Sequence, residues 1–162
     1  MIETPGVPTP SVRRAMLADV DSVAALFALY RVFYGQDHDI VAAASFLRAR
    51  LERAESIVYI AEAEDGAVLG FVQVYPTFAS VELGTAWRLN DLYVLESVRD
   101  RGVAARLMRA VRDGATDAGA VWVDLETAAD NLTAQRLYER EGYVRDDQYL
   151  HYVLSPASVE RG

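Results

Sequence analysis

Between residues 87 and 127 the chain changes its hydrophobic period twice, and that stretch constrains the fold more than any other. Residues 87–95 read as a strand. Residues 103–115 follow with Val103, Leu107 and Val111 four apart and Ala104 and Met108 beside them, one apolar stripe of a helix. Residues 121–127 then alternate Val121, Val123 and Leu125 against Trp122, Asp124 and Glu126, a strand with two distinct faces. Two strands joined through a helix in one sheet lie parallel, and the crossover between them is right-handed.

The remaining elements arrange themselves around this unit. Residues 12–16 form a short first strand. Asp19 or Asp21 caps a helix that buries Val23, Leu26, Phe27 and Tyr30, and a second helix over residues 40–53 presents Val41, Ala44 and Leu47. A hairpin comes next: residues 56–63 and 68–75 are rich in β-formers, with Asp65-Gly66 as the turn, and Pro76 ends the second strand. After the central unit, Asp130 caps a helix that Gly142 stops, and residues 148–154 give a last strand. The predicted order is β-αα-βββ-α-β-α-β, an α/β chain (α+β-type) on a mixed sheet. Residues 1–10, with three prolines and no period, read as a mobile arm; residues 11–156 read as a single domain, and residues 157–162 as a tail.

Several chemistries drop out on composition. Cysteine is absent, which removes disulfides, thiolate nucleophiles and cysteine metal sites together. The two histidines, His38 and His151, lack ligand spacing, so no metal is expected, and no G-x-S-x-G elbow accompanies them. No apolar run approaches the ~20 residues that a bilayer crossing needs, and the start lacks a signal peptide's charged and apolar regions. A cytoplasmic protein without a membrane partner is expected. The net charge of −8 repels nucleic acid and suits a cationic partner, whether a polyamine or a basic peptide. All 16 basic residues are arginine; a genome-wide compositional bias explains that better than avoidance of self-modification.

The chemistry concentrates at one join. Arg99-x-x-Gly102-x-Ala104 sits where the strand of residues 87–95 passes into the following helix. Amides at a helix start point outward unpaired, and the helix dipole adds about half a positive charge there. A pyrophosphate fits such a place. Gly102 permits close approach, small Ala104 keeps the first turn open, and Arg99 and Arg101 add local positive charge. An ordinary strand–helix turn has much the same look, so the pattern alone is weak. A mononucleotide P-loop is excluded, because no Gly-Lys-Ser/Thr follows. A doubly wound nucleotide-binding fold is disfavoured, because no Gly-rich loop follows the first strand.

Two blocks sharpen this. Leu92-Tyr93-Val94 with Arg99-Asp100-Arg101-Gly102-Val103-Ala104 resembles the coenzyme-A loop of the GNAT N-acetyltransferase superfamily, Arg/Gln-x-x-Gly-x-Gly/Ala. The run from Asn131 through Ala134 and Tyr138 to Gly142-Tyr143 resembles its Asn-x-x-Ala-x-x-x-Tyr-x-x-x-Gly-Tyr/Phe helix. Together they span about a third of the chain, in the family's order. Gly70-Phe71-x-x-x-Tyr75 and Leu89-Asn90-Asp91-Leu92-Tyr93-Val94 are similar to the diamine acetyltransferase branch.

The resemblance implies a GNAT fold, acetyl-CoA as co-substrate, a small amine acceptor and a homodimer. It implies that Leu92, Tyr93 and Val94 bind the pantetheine arm, and that Asp100, Arg101, Gly102, Val103, Ala104 and Ala105 cradle the pyrophosphate beside Arg99. Asn131 and Ala134 would share a helix face with Tyr138, the expected general acid toward the coenzyme sulfur. A phenol with pKa near ~10 is protonated at neutral pH and can return a proton to a thiolate of pKa near ~8.5. Packing on the sheet is the plainer role for such a tyrosine. Tyr30, Tyr34 and Tyr75, with Phe33, are candidates for an aromatic wall around a cation, or for simple core. Where the diamine branch carries a glutamate base this chain has Asn90. Asp91, placed by strand alternation on the opposite face from Asn90, and Glu82 in the preceding loop are the candidate bases, beside an unassisted route. The alternatives are a protein or peptide N-acetyltransferase and a non-catalytic acyl-CoA-binding module.

Overall fold

The computed structural model describes residues 9–156. They divide into two units, one ending at Ala128 and the other beginning at Ala129. The arm expected over residues 1–10 lies almost wholly outside the described residues, and the tail over 157–162 lies wholly outside them.

The first unit carries a five-stranded sheet in the order β1-β2-β3-β4-β5, formed by β1 (Ser11–Arg14), β2 (Ile57–Glu62), β3 (Val68–Ala79), β4 (Gly84–Val94) and β5 (Val123–Leu125). The first three pairings are antiparallel and β4–β5 is parallel, so the sheet is mixed as expected. Between β1 and β2 run α1 (Val20–Phe33) and α2 (Ile40–Glu52); α3 (Val103–Asp117) is the crossover from β4 to β5. Val58 and Ile60 of β2 join Phe71 in a core with α1 and α2. The alternate residue Tyr59 faces α3 on the other side.

The α3 stripe follows the predicted period at Val103, Leu107, Met108 and Val111, all buried together with Ala115, but the buried alanine of the first turn is Ala105, with Ala104 half-buried. On α2 the face turns out rotated. Ala43 and Leu47 are buried while Val41 is 81 % exposed, because the i, i+4 pair Ala43/Leu47 meets α1 and Val41 falls outside it. Asp19 does precede α1, but its carboxylate makes no cap bond to that helix; it accepts from Arg13 at 2.8 Å and from the Met16 amide at 2.7 Å. Arg13 also reaches Glu62 at 3.0 Å, which ties β1 to β2 and to the entry of α1.

Pro76 does not end its strand. β3 continues to Ala79 and pairs Pro76 with Trp87. β2 reaches only as far as Val74 along β3, so beyond it β3 is an edge, where a missing donor is tolerated. Between β2 and β3, the Asp65-Gly66 turn is present, with Gly66 at φ 85 and the Ala63 amide on the Ala67 carbonyl at 2.9 Å.

The second unit holds α4 (Leu132–Arg140). Its N-cap is Asn131, not Asp130: the Asn131 side chain accepts from the Ala134 amide at 3.2 Å. The strand expected over residues 148–154 does not form. Tyr149, Leu150, Tyr152, Val153 and Leu154 are all exposed. Alternation alone does not make a strand, which also needs a ladder of backbone bonds to a neighbour. Among the described residues, no helix is long and apolar enough to cross a membrane.

Candidate active site

The site begins with a fault in the sheet. β3 and β4 pair in step from Gly70↔Val94 to Gln73↔Asp91, and then the next pair is Val74↔Leu89. Asn90 is therefore one residue too many, a β-bulge. A bulge breaks the two-residue period, and this overturns the expectation that Asn90 and Asp91 point to opposite faces. Asn90 Nδ2 instead donates to Asp91 Oδ1 at 3.1 Å.

Bulges also bend the strand that carries them and raise its twist. β4 pairs with β5 only over Trp87–Leu89, opposite Val123–Leu125, and the pairing stops where the bulge starts. Past Leu89, β4 continues to Val94 with β3 on one side and, among the described residues, no strand on the other. The expected strand over residues 121–127 is accordingly cut to three residues, and Trp122 is 38 % exposed where Trp87 is buried.

A pocket of about 300 Å³ opens there, lined by Tyr30, Tyr34, Arg88, Leu89, Asn90, Glu126, Thr127 and Ala128. α1 delivers two of these, Tyr30 and the residue just past its end, Tyr34; their rings lie 4.9 Å apart. Phe33 touches Tyr34 at 5.2 Å but is itself 67 % exposed. Burial, then the nearby Asp91 charge, push the Tyr30 phenol well above its ordinary value. Tyr75 is half-buried on β3 and does not line the pocket; burial and Asp91 push its phenol up to about 12. Glu82 sits exposed in the turn between β3 and β4, also away from the pocket. So the structure gathers Tyr30, Tyr34 and Asn90, and leaves Tyr75 and Glu82 out.

It also adds two residues that the motif reading passes over. The Arg88 guanidinium is held by Glu126 at 2.8 Å and by Asp124 at closer range. Arg88 and Glu126 line the pocket. One signal for them is in the sequence: Asp124 and Glu126 share the polar face of their strand.

Asp91 is 5 % exposed and is not a lining residue. Gln73 Nε2 donates to its Oδ2 at 2.8 Å, opposite the bond from Asn90. Burial raises its carboxyl above the ordinary value, against the lowering effect of these donors.

Further along β4 the chain makes a short 3-10 turn, Glu96–Val98, and enters α3. Asp100 stands at φ 60 and Gly102 at φ 76, with Gly102 as the N-cap of α3. Two left-handed residues flanking Arg101 curl the backbone so that successive amides converge, a shape that receives anions. The Arg106 amide returns to the Gly102 carbonyl at 3.1 Å, so the amides of Val103, Ala104 and Ala105 are the ones the helix itself leaves unpaired. A Cβ built on Gly102 meets nothing within 4 Å; only its φ demands glycine. Arg99 is a strut: its Nε donates to the Val94 carbonyl at 3.0 Å and its guanidinium lies 5.6 Å from the Tyr93 ring centre. Arg101, like Arg99, is exposed. These residues fit a diphosphate.

In the second unit, Asn131, Ala134 and Tyr138 are half-buried on α4. The Asn131 side chain is committed to its cap bond, and the Tyr138 ring lies 6.2 Å from that of Tyr143.

Residues 23–143 match the family model described as the acetyltransferase (GNAT) family. The chain belongs to the GNAT acetyltransferases. Among its relatives, YhfO of Bacillus subtilis strain 168, described as an uncharacterized N-acetyltransferase, is 43 % identical over 145 residues, 90 % of this chain and 97 % of that protein. A crystal structure of a probable acetyltransferase matches with a TM-score of 0.85 at 38 % identity, covering 90 % of this chain and 97 % of that one. An aminoglycoside N(6')-acetyltransferase type 1 of Serratia marcescens is 28 % identical over 109 residues, 65 % of this chain and 75 % of that protein. GNAT acetyltransferases draw their acetyl group from acetyl-CoA, whose diphosphate calls for an anion-receiving bend like that at residues 99–105. Among the described residues, no group of three or more His, Asp or Glu could hold a metal ion.

Proposed function

We propose that this GNAT acetyltransferase transfers the acetyl group of acetyl-CoA to a primary amine on a small cationic molecule, by direct attack of the amine. The observation that carries the reading is the opening in the sheet at Asn90. It lies on the same strand that leads from an aromatic and polar pocket to the start of α3. Asn90 and Val94 are four strand steps apart, roughly 13 Å at ~3.3 Å per residue, a span suited to a co-substrate with a long arm between its diphosphate and its reactive end.

The bound thioester supplies an activated acyl group, and the chain supplies the rest. The amides from Arg101 to Ala105 hold the diphosphate, and the free edge of Leu92–Val94 aligns the arm. Tyr30 and Tyr34 offer ring faces to a cation, with contacts worth ~0.5–2 kcal/mol, and the Arg88–Glu126 ion pair forms the polar side of the same wall. An amine of pKa near ~10.4 must lose a proton before it attacks, and bulk water within the open pocket can take it. Tyr138 returns a proton to the departing sulfur. Cysteine is absent, so no acyl-thiol enzyme route competes.

Thiol release from acetyl-CoA across amines, polyamines, amino acids and basic peptides tests the reading. Polyamines or other small diamines should lead the panel; peptides acetylated while small amines stay inert would move the assignment to a protein substrate. Tyr138→Phe should lower kcat at least about tenfold, the scale of a lost general acid, with coenzyme A affinity by calorimetry unchanged. Unchanged turnover would remove Tyr138 as the acid. Coenzyme A binding with no turnover on any amine would point to a non-catalytic acyl-CoA-binding module.

A further inference from the structure

Behind the pocket wall, two polar side chains converge on one carboxylate, and a third donates to the backbone beside it. Gln73 is fully buried and donates to Asp91 Oδ2 at 2.8 Å across the β3–β4 ladder. Asn90 donates to Asp91 Oδ1 at 3.1 Å. The Tyr30 hydroxyl directs its proton the same way, to the backbone carbonyl of Asn90 at 3.3 Å. Among the described residues, buried Gln73 Oε1 is left without a partner. The orientation that reaches Asp91 is therefore kept despite an unmet acceptor on the same amide.

A carboxylate only accepts. Every group that touches it must turn a donor inward. An amide that commits its NH2 to Asp91 turns its carbonyl away, and a phenol that directs its proton inward keeps a lone pair for the other side. Asn90 and Tyr30 are lining residues of the pocket, and Asp91 is not. We propose that Asp91 is a positioning residue that sets the hydrogen-bond polarity of the wall. It leaves Asn90 Oδ1 and Tyr30 Oη facing the pocket as a pair of acceptors for the N–H groups of a primary amine. Asn90, where a proton-accepting carboxylate would otherwise be expected, holds the nucleophile by an N–H bond and takes no proton from it. Asp91 takes none either, because it is buried behind the wall and does not line the pocket where the amine sits.

This inference rests on the N-acetyltransferase reading, and steady-state kinetics with acetyl-CoA and the best amine of the panel test it. Asp91→Asn preserves shape but lets position 91 donate as well as accept, so the wall loses its fixed polarity. KM for the amine should rise about tenfold, the scale of one or two weakened hydrogen bonds. Coenzyme A affinity by calorimetry should hold, and the acid limb of the kcat/KM profile should stay at the same pH. Tyr30→Phe removes one acceptor from the wall and should raise amine KM about three- to tenfold; it decides the matter should Asp91→Asn fail to fold. An unchanged amine KM in the folded variants overturns the proposal. So does loss of the acid limb in Asp91→Asn, which would make Asp91 the proton acceptor. A wild-type enzyme that binds coenzyme A yet acetylates no amine overturns the transferase reading, and this inference falls with it.

Discussion

Two aspartates in the first unit show how far neighbours decide what a carboxyl does. Asp19, held by Arg13, has its pKa lowered, chiefly by that side-chain hydrogen bond. Asp91, walled in by β3, β4 and α1, has its pKa raised, chiefly by burial. The two signs make opposite demands on stability. A lowered folded pKa means the contribution of Asp19 is present above the unfolded value of ~3.9 and is lost as pH falls through the folded one. A raised folded pKa means the contribution of Asp91 is present below that value and is lost as pH rises through the folded one. Asparagine is neutral throughout. The melting-temperature gap between wild type and Asp19→Asn should therefore widen from acid toward neutral pH, whereas the gap to Asp91→Asn should narrow. Thermal melts from about pH 3 to 8 check both slopes. Parallel slopes would mean that the donors around Asp91 outweigh its burial.

At the level of elements, α3 approaches the sheet unusually closely at Gly114. A Cβ built there meets Tyr59 Oη at 2.0 Å and Tyr59 Cζ at 3.1 Å. Glycine inside a helix ordinarily costs about 1 kcal/mol relative to alanine, and here that loss is accepted so that the helix can lie on the Tyr59 ring. Gly114→Ala should destabilise by about 1–3 kcal/mol, as an overpacked contact does. Tyr59→Phe in the same chain should recover part of that, because it removes the nearest clashing atom. Chemical denaturation of the two single variants and the double variant checks the coupling; strictly additive effects would place the strain elsewhere.

The same scale shows what the sequence made legible. The α3 stripe, the Asp65-Gly66 hairpin and the parallel crossover are local or period-driven, and the structure has them where the pattern puts them. What escaped depends on partners distant in sequence. The buried face of α2 is chosen by α1. Pro76 is tolerated because β2 ends early, a fact of pairing and not of propensity. A strand over residues 148–154 needs a ladder that its own alternation cannot supply. The site follows the same rule. The bend at Gly102 could be read from its spacing, but Asn90 looks like one more strand residue until its missing partner on β3 is seen. Arg88 and Glu126 likewise become site residues only when β5 stops short.

For the whole molecule, 24 acidic against 16 basic side chains leave a net charge of −8. Such a field gathers cations, and salt weakens it on the scale of a Debye length of about 8 Å at physiological ionic strength. If the acceptor is a polyamine, raising salt from about 0.01 to 0.3 M should raise its KM several-fold, through screening of the protein's field. A monoamine should respond less, and KM for acetyl-CoA should not rise in parallel. An equal response of mono- and polyamines would place the recognition in the aromatic wall alone.

The pocket beside Asn90 opens at a miscount. One strand carries a single amino acid that its antiparallel neighbour does not match, and from that point the sheet cannot close. A perfectly zipped version would bond its backbone more completely and offer a ligand no gap to enter. The gap here comes from a seam left unfinished.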